Sequence, residues 1–221
     1  MGAALAAPIC LTTMNTQQPD LGFIHRFIPA RDDSRKPLLL LHGTGADEDD
    51  LIPLGERLSA AAALLSPRGK VLENGMPRFF RRIAEGEWDL QDFRARTDEL
   101  AKFVAAARDA YALPPPIALG FSNGANIAWS LLLRDPALLG GAILMRAMLP
   151  FDPRPLPDLD SIPVLILAGL DDPLVPVDQA ALLAALLGEA GADVTYEVVQ
   201  GGHGLTGDDL SLAGSWLSKN G

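Results

Sequence analysis

Three features are scarce in this 221-residue chain: cysteine, long apolar runs and positive charge. Cys10 is the only cysteine, which excludes an intrachain disulfide and a cysteine-rich zinc site and favours a cytoplasmic location. The longest apolar run, Ile162 to Leu170, has about nine residues, whereas a membrane-spanning helix needs about 18. We therefore expect no transmembrane segment.

Positive charge is the third scarcity. Eighteen lysines and arginines stand against 28 aspartates and glutamates, which gives a formal net charge of −10. An acidic surface repels phosphate backbones and anionic lipid, so we expect neither a nucleic-acid nor a membrane partner. Hydrophobic residues make up 48% and charged residues 21%, proportions typical of a folded globular protein with a large core.

The length fits one domain. The apolar stretch 1–11 has no lysine or arginine before it, unlike a secretory signal. We expect residues 1–20 to form a frayed N-terminal extension, with Met14 as an alternative start, and residues 21–221 to form a single domain.

Short apolar runs alternate with longer stretches of helical periodicity, a pattern typical of a mostly parallel sheet with helices packed on it. The predicted strands are 38–41, 62–65, 117–121, 142–145, 164–168 and 194–199. The predicted helices are 50–61, 92–111, 124–134, 178–190 and 207–218, with Asp178 and Asp208 as expected N-caps. The segments 67–89 and 146–163 are the most irregular, and we expect function to reside there.

Residues 120–124 form a G-x-S-x-G motif between a predicted buried strand and a predicted helix. A serine on so sharp a turn needs small neighbours, which Gly120 and Gly124 supply. Ser122 is therefore the candidate nucleophile.

A serine hydroxyl needs a base, and the base needs an acid to orient it. His203 follows the last predicted strand in a glycine-lined loop, whereas we expect His25 to be structural and His42 to shape its own loop. Asp171 and Asp172 both follow the strand 164–168. We favour Asp172, because it precedes a proline that fixes an extended turn, and expect Asp171 to stabilise that turn.

The reaction also needs donors for the oxyanion. The backbone N–H groups of Asn123, directly after the nucleophile, and of Thr44, in the glycine-containing loop 42–45, are the candidates. The order Ser122, Asp172, His203 is that of the α/β-hydrolases.

With these motifs the chain resembles the phospholipase/carboxylesterase family of α/β-hydrolases, and within it the hydroquinone-responsive, MhqD-type bacterial branch. The resemblance runs from about Phe23 to Leu217 and rests on LLHGTG (40–45), PRG (67–69), ENGMPRFFRR (73–82), GFSNGAN (120–126), DPLVP (172–176) and GH (202–203). It implies esterase or thioesterase activity on small acyl substrates, no cofactor, no metal, and a homodimer. It assigns the triad and the oxyanion hole to the residues named above. Ala46 and Ala147 depart from the branch, which has glycine and proline there.

Only 17 residues, 146–162, lie between Met145 and Pro163, where many relatives insert a helical cap, so we expect an open site without a cap domain. The candidate pocket walls are Met76, Phe79, Phe80 and Trp88, of which at most one of the adjacent phenylalanines should face the ligand. An alternative is that these side chains only anchor the loop.

The segment 68–96 carries a net charge of +2, so Arg78, Arg81 and Arg82 are candidates for binding an anionic substrate. The alternative is that these arginines pair with nearby carboxylates. We expect a serine carboxylesterase acting on small esters. The rivals are an acyl-protein thioesterase or lysophospholipase and, in a different class, a non-catalytic small-molecule receptor on the same fold.

Overall fold

The computed structural model describes residues 19–221. The predictions for Cys10, for Met14 and for most of the N-terminal extension concern residues outside this range. The strands are β1 (His25–Ile28), β2 (Leu38–Leu41), β3 (Leu64–Pro67), β4 (Val71–Glu73), β5 (Met76–Arg78), β6 (Arg82–Ala84), β7 (Glu87–Trp88), β8 (Ile117–Phe121), β9 (Gly141–Met145), β10 (Pro163–Gly169) and β11 (Asp193–Val199). The α-helices are α1 (Ile52–Leu58), α2 (Leu90–Tyr111), α3 (Asn123–Arg134), α4 (Val177–Glu189) and α5 (Gly207–Asn220), with a 3₁₀ turn at Pro136–Leu138.

Seven strands form one sheet in the order β1-β3-β2-β8-β9-β10-β11. β1 pairs antiparallel with β3, and the other neighbours are parallel. This confirms the predicted α/β-hydrolase fold with a mostly parallel central sheet.

The two faces of the sheet bury different helices. In β2, Leu38 and Leu40 pack with Trp216 of α5 on one face, while Leu39 and Leu41 belong to the larger core formed with α2, α3 and α4. All four leucines are fully buried, because a central parallel strand is covered on both sides. Helices therefore lie on both faces, as predicted.

The predicted N-caps are wrong by a few positions. α4 begins after Pro176, so Asp178 lies in its first turn, and α5 is capped by Thr206. Thr206 and Asp209 form a reciprocal capping box, which satisfies two backbone donors and outcompetes a cap by Asp208.

Two of the connections matter for the site. The segment 67–89 contains two small hairpins, β4–β5 and β6–β7, rather than irregular loop alone. Residues 146–162 contain neither helix nor strand, so this connection forms no cap domain over the sheet.

The carboxyl ends of the parallel strands meet at one edge of the sheet, where ligands usually bind in open α/β folds. Residues directly after β2, β8, β9, β10 and β11 supply the side chains described next. Among residues 19–221, none of the helices is long and apolar enough to cross a bilayer.

Candidate active site

Ser122 lies at a sharp turn between β8 and α3, with φ 53° and ψ −114°. A Cβ on Gly124 would lie 1.9 Å from the Leu41 carbonyl oxygen, and one on Gly120 would lie 2.6 Å from the Ala125 Cα. Only glycine fits at either position, so the two motif glycines allow the turn that exposes the Ser122 hydroxyl.

The structure brings together the three residues of the predicted triad. His203 Nε2 lies 2.9 Å from Ser122 Oγ, and His203 Nδ1 lies 2.8 Å from Asp172 Oδ2. The histidine lies between the hydroxyl and the carboxylate, as a general base that a carboxylate orients must.

Of the two adjacent aspartates, Asp172 is the one whose carboxylate contacts His203. Its side chain is fully buried, and its second oxygen accepts hydrogen bonds from the N–H groups of Leu174 and Val175, at 2.8 and 3.0 Å. The Asp171 side chain is exposed, and the turn is instead held by its backbone N–H, which donates to the Gly201 carbonyl.

The N–H groups of Thr44 and Asn123 belong to residues that line the same cavity as Ser122. As the first residue of α3, Asn123 has an N–H without a partner inside the helix. Its side-chain carbonyl accepts a hydrogen bond from Phe79 N–H at 2.7 Å, and Gly45 N–H donates to the Pro77 carbonyl at 2.9 Å. The two candidate donor loops are thus tied to the same hairpin strand, β5, and its end.

The other two histidines make structural contacts away from the reacting atoms. This agrees with the expectation that His25 is structural and that His42 shapes its own loop. His42 Nδ1–H donates to the Gly43 carbonyl, and its Nε2 accepts from Gly69 N–H at 3.0 Å. Burial lowers the pKa of the His42 imidazole, so it stays neutral and can accept that bond. His25 contacts the Phe23 carbonyl and the Tyr111 hydroxyl, far from Ser122 in the sheet order.

A cavity of ≈ 260 Å³ opens beside Ser122 and His203. Its apolar lining consists of Phe80, Trp88, Phe121, Met148, Leu174 and Val175. Its polar lining, besides the residues above, consists of Arg78, Arg82, Glu85 and Asn126. Four of the predicted pocket and anion-binding residues therefore line this cavity: Arg78, Phe80, Arg82 and Trp88.

The other three predicted pocket residues, Met76, Phe79 and Arg81, do not line it. Phe79 is buried and its ring packs against His42, with ring centroids 4.8 Å apart. Met76 is 42% exposed, with its sulfur turned toward Gly45. The Arg81 side chain is 62% exposed and bonds Asp89. Residues 78, 80 and 82 line the cavity and residues 79 and 81 do not, which separates Phe79 from Phe80 and Arg81 from Arg82.

The arginines at the cavity are paired with carboxylates. Glu73 bonds both Arg78 and Arg82, and Arg82 also pairs with Glu85. Burial lowers the pKa of the Arg78 guanidinium, although the Glu73 carboxylate opposes this. The formal charges of these four side chains cancel, which favours the paired-arginine interpretation over a free anion site.

Sequence reasoning missed Asn126, Met148, Leu174 and Val175 as cavity residues. The Asn126 side-chain oxygen accepts from Met148 N–H at 2.9 Å, which fixes the loop after β9. Asn126 lies one turn after Ser122 on α3, a spacing from which its position could have been inferred. Within residues 19–221, no cluster of histidine, cysteine or carboxylate side chains could hold a metal ion.

Comparisons with known proteins identify the family of this chain. The sequence model of the phospholipase/carboxylesterase family matches residues 24–220. The protein named as the hydrolase MhqD of Bacillus subtilis (strain 168) is 43% identical over 196 residues, 88% of this chain and 98% of that protein. The crystal structure of the Bacillus cereus carboxylesterase superposes with a TM-score of 0.87 at 43% identity, covering 90% of this chain and 95% of that one. A carboxylesterase from Mesorhizobium loti gives 0.85 at 34% identity, covering 91% and 97%.

Proposed function

The chain belongs to the phospholipase/carboxylesterase family of α/β-hydrolases, and we propose that it is a serine carboxylesterase that hydrolyses small carboxylic esters through an acyl-enzyme. The observation that carries the proposal is the continuous hydrogen-bonded line from Ser122 through His203 to Asp172, open to a cavity. The family establishes an esterase-like hydrolase, and this line of contacts supports the serine-dependent mechanism.

In the first half of the reaction, Ser122 Oγ attacks the ester carbonyl carbon while His203 Nε2 takes the hydroxyl proton. The buried Asp172 carboxylate accepts from His203 Nδ1–H, which presents Nε2 to the serine and stabilises the imidazolium that forms. The N–H groups of Thr44 and Asn123 donate to the developing oxyanion. His203 then gives its proton to the leaving alcohol, and the acyl group stays on Ser122.

In the second half, water replaces the alcohol. His203 Nε2 removes a proton from the water, the hydroxide attacks the acyl carbonyl, and the same two N–H groups stabilise the second oxyanion. The carboxylic acid leaves as Ser122 Oγ recovers its proton. His203 Nε2 accepts and donates every proton in both halves, so the residues named above account for each step.

The size of the cavity supports small substrates. A volume of ≈ 260 Å³ lies below the range typical of drug-sized ligand pockets, and no cap domain extends it. Longer acyl chains would leave apolar surface in water and gain little burial energy. We therefore expect catalytic efficiency to peak at acyl chains of a few carbons.

Two measurements test the proposal. A fluorophosphonate should label Ser122, as identified by mass spectrometry, and Ser122→Ala should lower kcat by about 10⁴-fold or more with an unchanged fold. Labelling of another serine, with Ser122→Ala still active, would contradict the mechanism.

A panel of p-nitrophenyl esters from acetyl to palmitoyl separates the rivals. A steady rise in kcat/KM toward palmitoyl would favour the thioesterase or lysophospholipase alternative. Tight ligand binding with negligible turnover across the panel would favour a receptor.

The homodimer and the cytoplasmic location are further proposals. The family resemblance supports the homodimer, and the single cysteine supports the cytoplasmic location. Light scattering on the purified chain tests the homodimer.

A further inference from the structure

Arg146 occupies an unusual place for an arginine. It directly follows the fully buried strand β9, its own side chain is fully buried, and its φ is 60°, in the left-handed region. A buried cation in a strained backbone persists only where surrounding contacts hold it.

The guanidinium uses all five of its N–H donors. Two bonds, of 2.7 and 2.8 Å, form a bidentate pair with the carboxylate of Asp209, which is also fully buried. Three more go to backbone carbonyls: Leu167 at 3.4 Å, Gly202 at 3.0 Å and Gly204 at 3.1 Å. This planar set of donors is specific to arginine.

Two of those carbonyls belong to the residues on either side of His203. Nε binds the carbonyl before the histidine and Nη2 binds the carbonyl after it, so the guanidinium holds both ends of the residue that bears the imidazole. Glycine-rich backbone has little stiffness of its own, and residues 201, 202 and 204 are all glycine.

The end of β9 also contacts the nucleophile through its backbone. The carbonyl of Met145, the residue before Arg146, accepts a hydrogen bond from Ser122 N–H at 2.8 Å, and Arg146 N–H donates to Leu167. The end of β9 therefore contacts the serine through its backbone and the histidine loop through a side chain.

We propose that Arg146, held by Asp209, is a positioning residue that fixes the His203 loop and thereby the distance between His203 Nε2 and Ser122 Oγ. The inference rests on the proposed function. Arg146 touches neither substrate nor reacting atoms and acts through the two glycine carbonyls, so its effect belongs to kcat rather than to KM.

Three variants test this role. Arg146→Met removes every side-chain donor. Arg146→Lys keeps the positive charge beside Asp209 but cannot donate to both glycine carbonyls. Asp209→Asn keeps the shape of the partner side chain but replaces the ion pair with weaker hydrogen bonds to Arg146. We expect kcat on a short-chain ester to fall by about 100-fold in both Arg146 variants and by about 10-fold in Asp209→Asn, with KM little changed.

A matched control separates positioning from general stability. Phe103→Leu perturbs the core where Phe103 packs against Phe23 and His25, at the β1 side of the sheet. Assays run well below the melting temperature of every variant should give wild-type kcat for Phe103→Leu. The far-downfield proton resonance of the His203 Nδ1–H···Asp172 bond should persist in Phe103→Leu and weaken in the Arg146 and Asp209 variants.

The outcomes are distinct. Wild-type kcat and an intact downfield resonance in folded Arg146→Lys would overturn the inference, since the arginine would then serve stability alone. Should the Arg146 variants not fold, Asp209→Asn decides: a kcat equal to that of Phe103→Leu overturns the proposal. If Ser122→Ala remains active, the proposed function is wrong; if it is inactive while the Arg146 variants keep kcat, only the positioning role is wrong.

Discussion

At the scale of single residues, Ser122 and Arg146 share an uncommon backbone. Both follow a central parallel strand and both have positive φ, at 53° and 60°. Such a conformation costs a non-glycine residue about 1–3 kcal/mol and is concentrated at functional sites. At Ser122 it exposes the hydroxyl, and at Arg146 it turns a long side chain back under the histidine loop.

The two adjacent aspartates give a residue-scale prediction. Asp172→Asn should lower kcat by about 10⁴-fold, because the amide oxygen would stay bonded to the N–H groups of Leu174 and Val175. The amide NH2 would then face His203 Nδ1 and favour the wrong imidazole tautomer. Asp171→Asn should change kcat little, because the Asp171 side chain is exposed. Steady-state kinetics on one short ester checks both variants. A larger loss in Asp171→Asn would transfer the role of the acid to Asp171.

The arginines near the cavity give a second prediction at the scale of single residues. Arg78→Ala removes a cavity-lining cation that bonds Glu73, so kcat/KM should fall about 10-fold for a neutral ester and for an equal-sized ester bearing a free carboxylate. Arg81→Ala, the matched control outside the cavity, should affect neither. The comparison is best made at low and high salt, since exposed pairs weaken with screening. A loss confined to the carboxylate-bearing ester would instead establish an anion subsite.

At the scale of elements, the active-site turn depends on how closely α3 approaches β2. There is no room for a methyl group at Gly124, whose added Cβ would overlap backbone rather than a movable side chain. The approach places the first turn of α3, whose first N–H groups have no partner within the helix, against the loop after β2. The two candidate oxyanion donors come from these two elements.

Two glycine substitutions test that contact. Gly124→Ala should lower the free energy of unfolding by about 3 kcal/mol or more, because the backbone around Leu41 must shift. Gly188→Ala, in α4, meets no atom within 4 Å and should stabilise the protein by up to about 1 kcal/mol. Urea unfolding measures both. Equal stability of the two variants would show that the turn tolerates a side chain.

At the scale of the whole molecule, a buried ion pair joins two regions distant in the chain. Arg146 and Asp209 are 63 positions apart and link the end of β9 to the start of α5. Burial alone would raise the pKa of the Asp209 carboxyl, but hydrogen bonds from Arg146 and Thr206 outweigh it and hold the pKa below its usual range. The pair therefore contributes to stability only while Asp209 is ionised.

The lowered pKa of Asp209 makes the free energy of unfolding depend on pH. Because the folded-state pKa is lowered, the contribution is complete above the ordinary carboxyl pKa, about 4, and is lost as the pH falls through the lower folded value. Asp209→Asn should cost about 3 kcal/mol of unfolding free energy near pH 7, and this difference from wild type should shrink below about pH 4. Urea unfolding between pH 3 and about pH 7 measures it. A difference that stays constant across this range would contradict the assigned ionisation.

The sequence by itself determined six of the seven strands of the main sheet, all but the antiparallel β1, together with the order of the major elements and the three triad candidates. Buried parallel strands are continuous apolar runs, and the predicted strand 117–121 coincides with β8. A strained serine turn needs glycines at fixed spacing, so Ser122 could be recognised locally. His203 and Asp172 followed because parallel strands end at one edge, which brings together residues that come directly after them.

Only the tertiary structure decided which side chains face the cavity and what holds the histidine loop. Phe79 and Phe80 are the same residue type, yet Phe79 packs on His42 and Phe80 lines the cavity, because the bend between the two hairpins sends the two rings in different directions. The sequence around Arg146 gives no sign of its partners: its contacts with Gly202, Gly204 and Asp209 depend on how β9, the loop after β11, and α5 pack together. Spacing along a chain predicts contacts within one element or at a shared sheet edge, but contacts between separate elements exist only once those elements have packed.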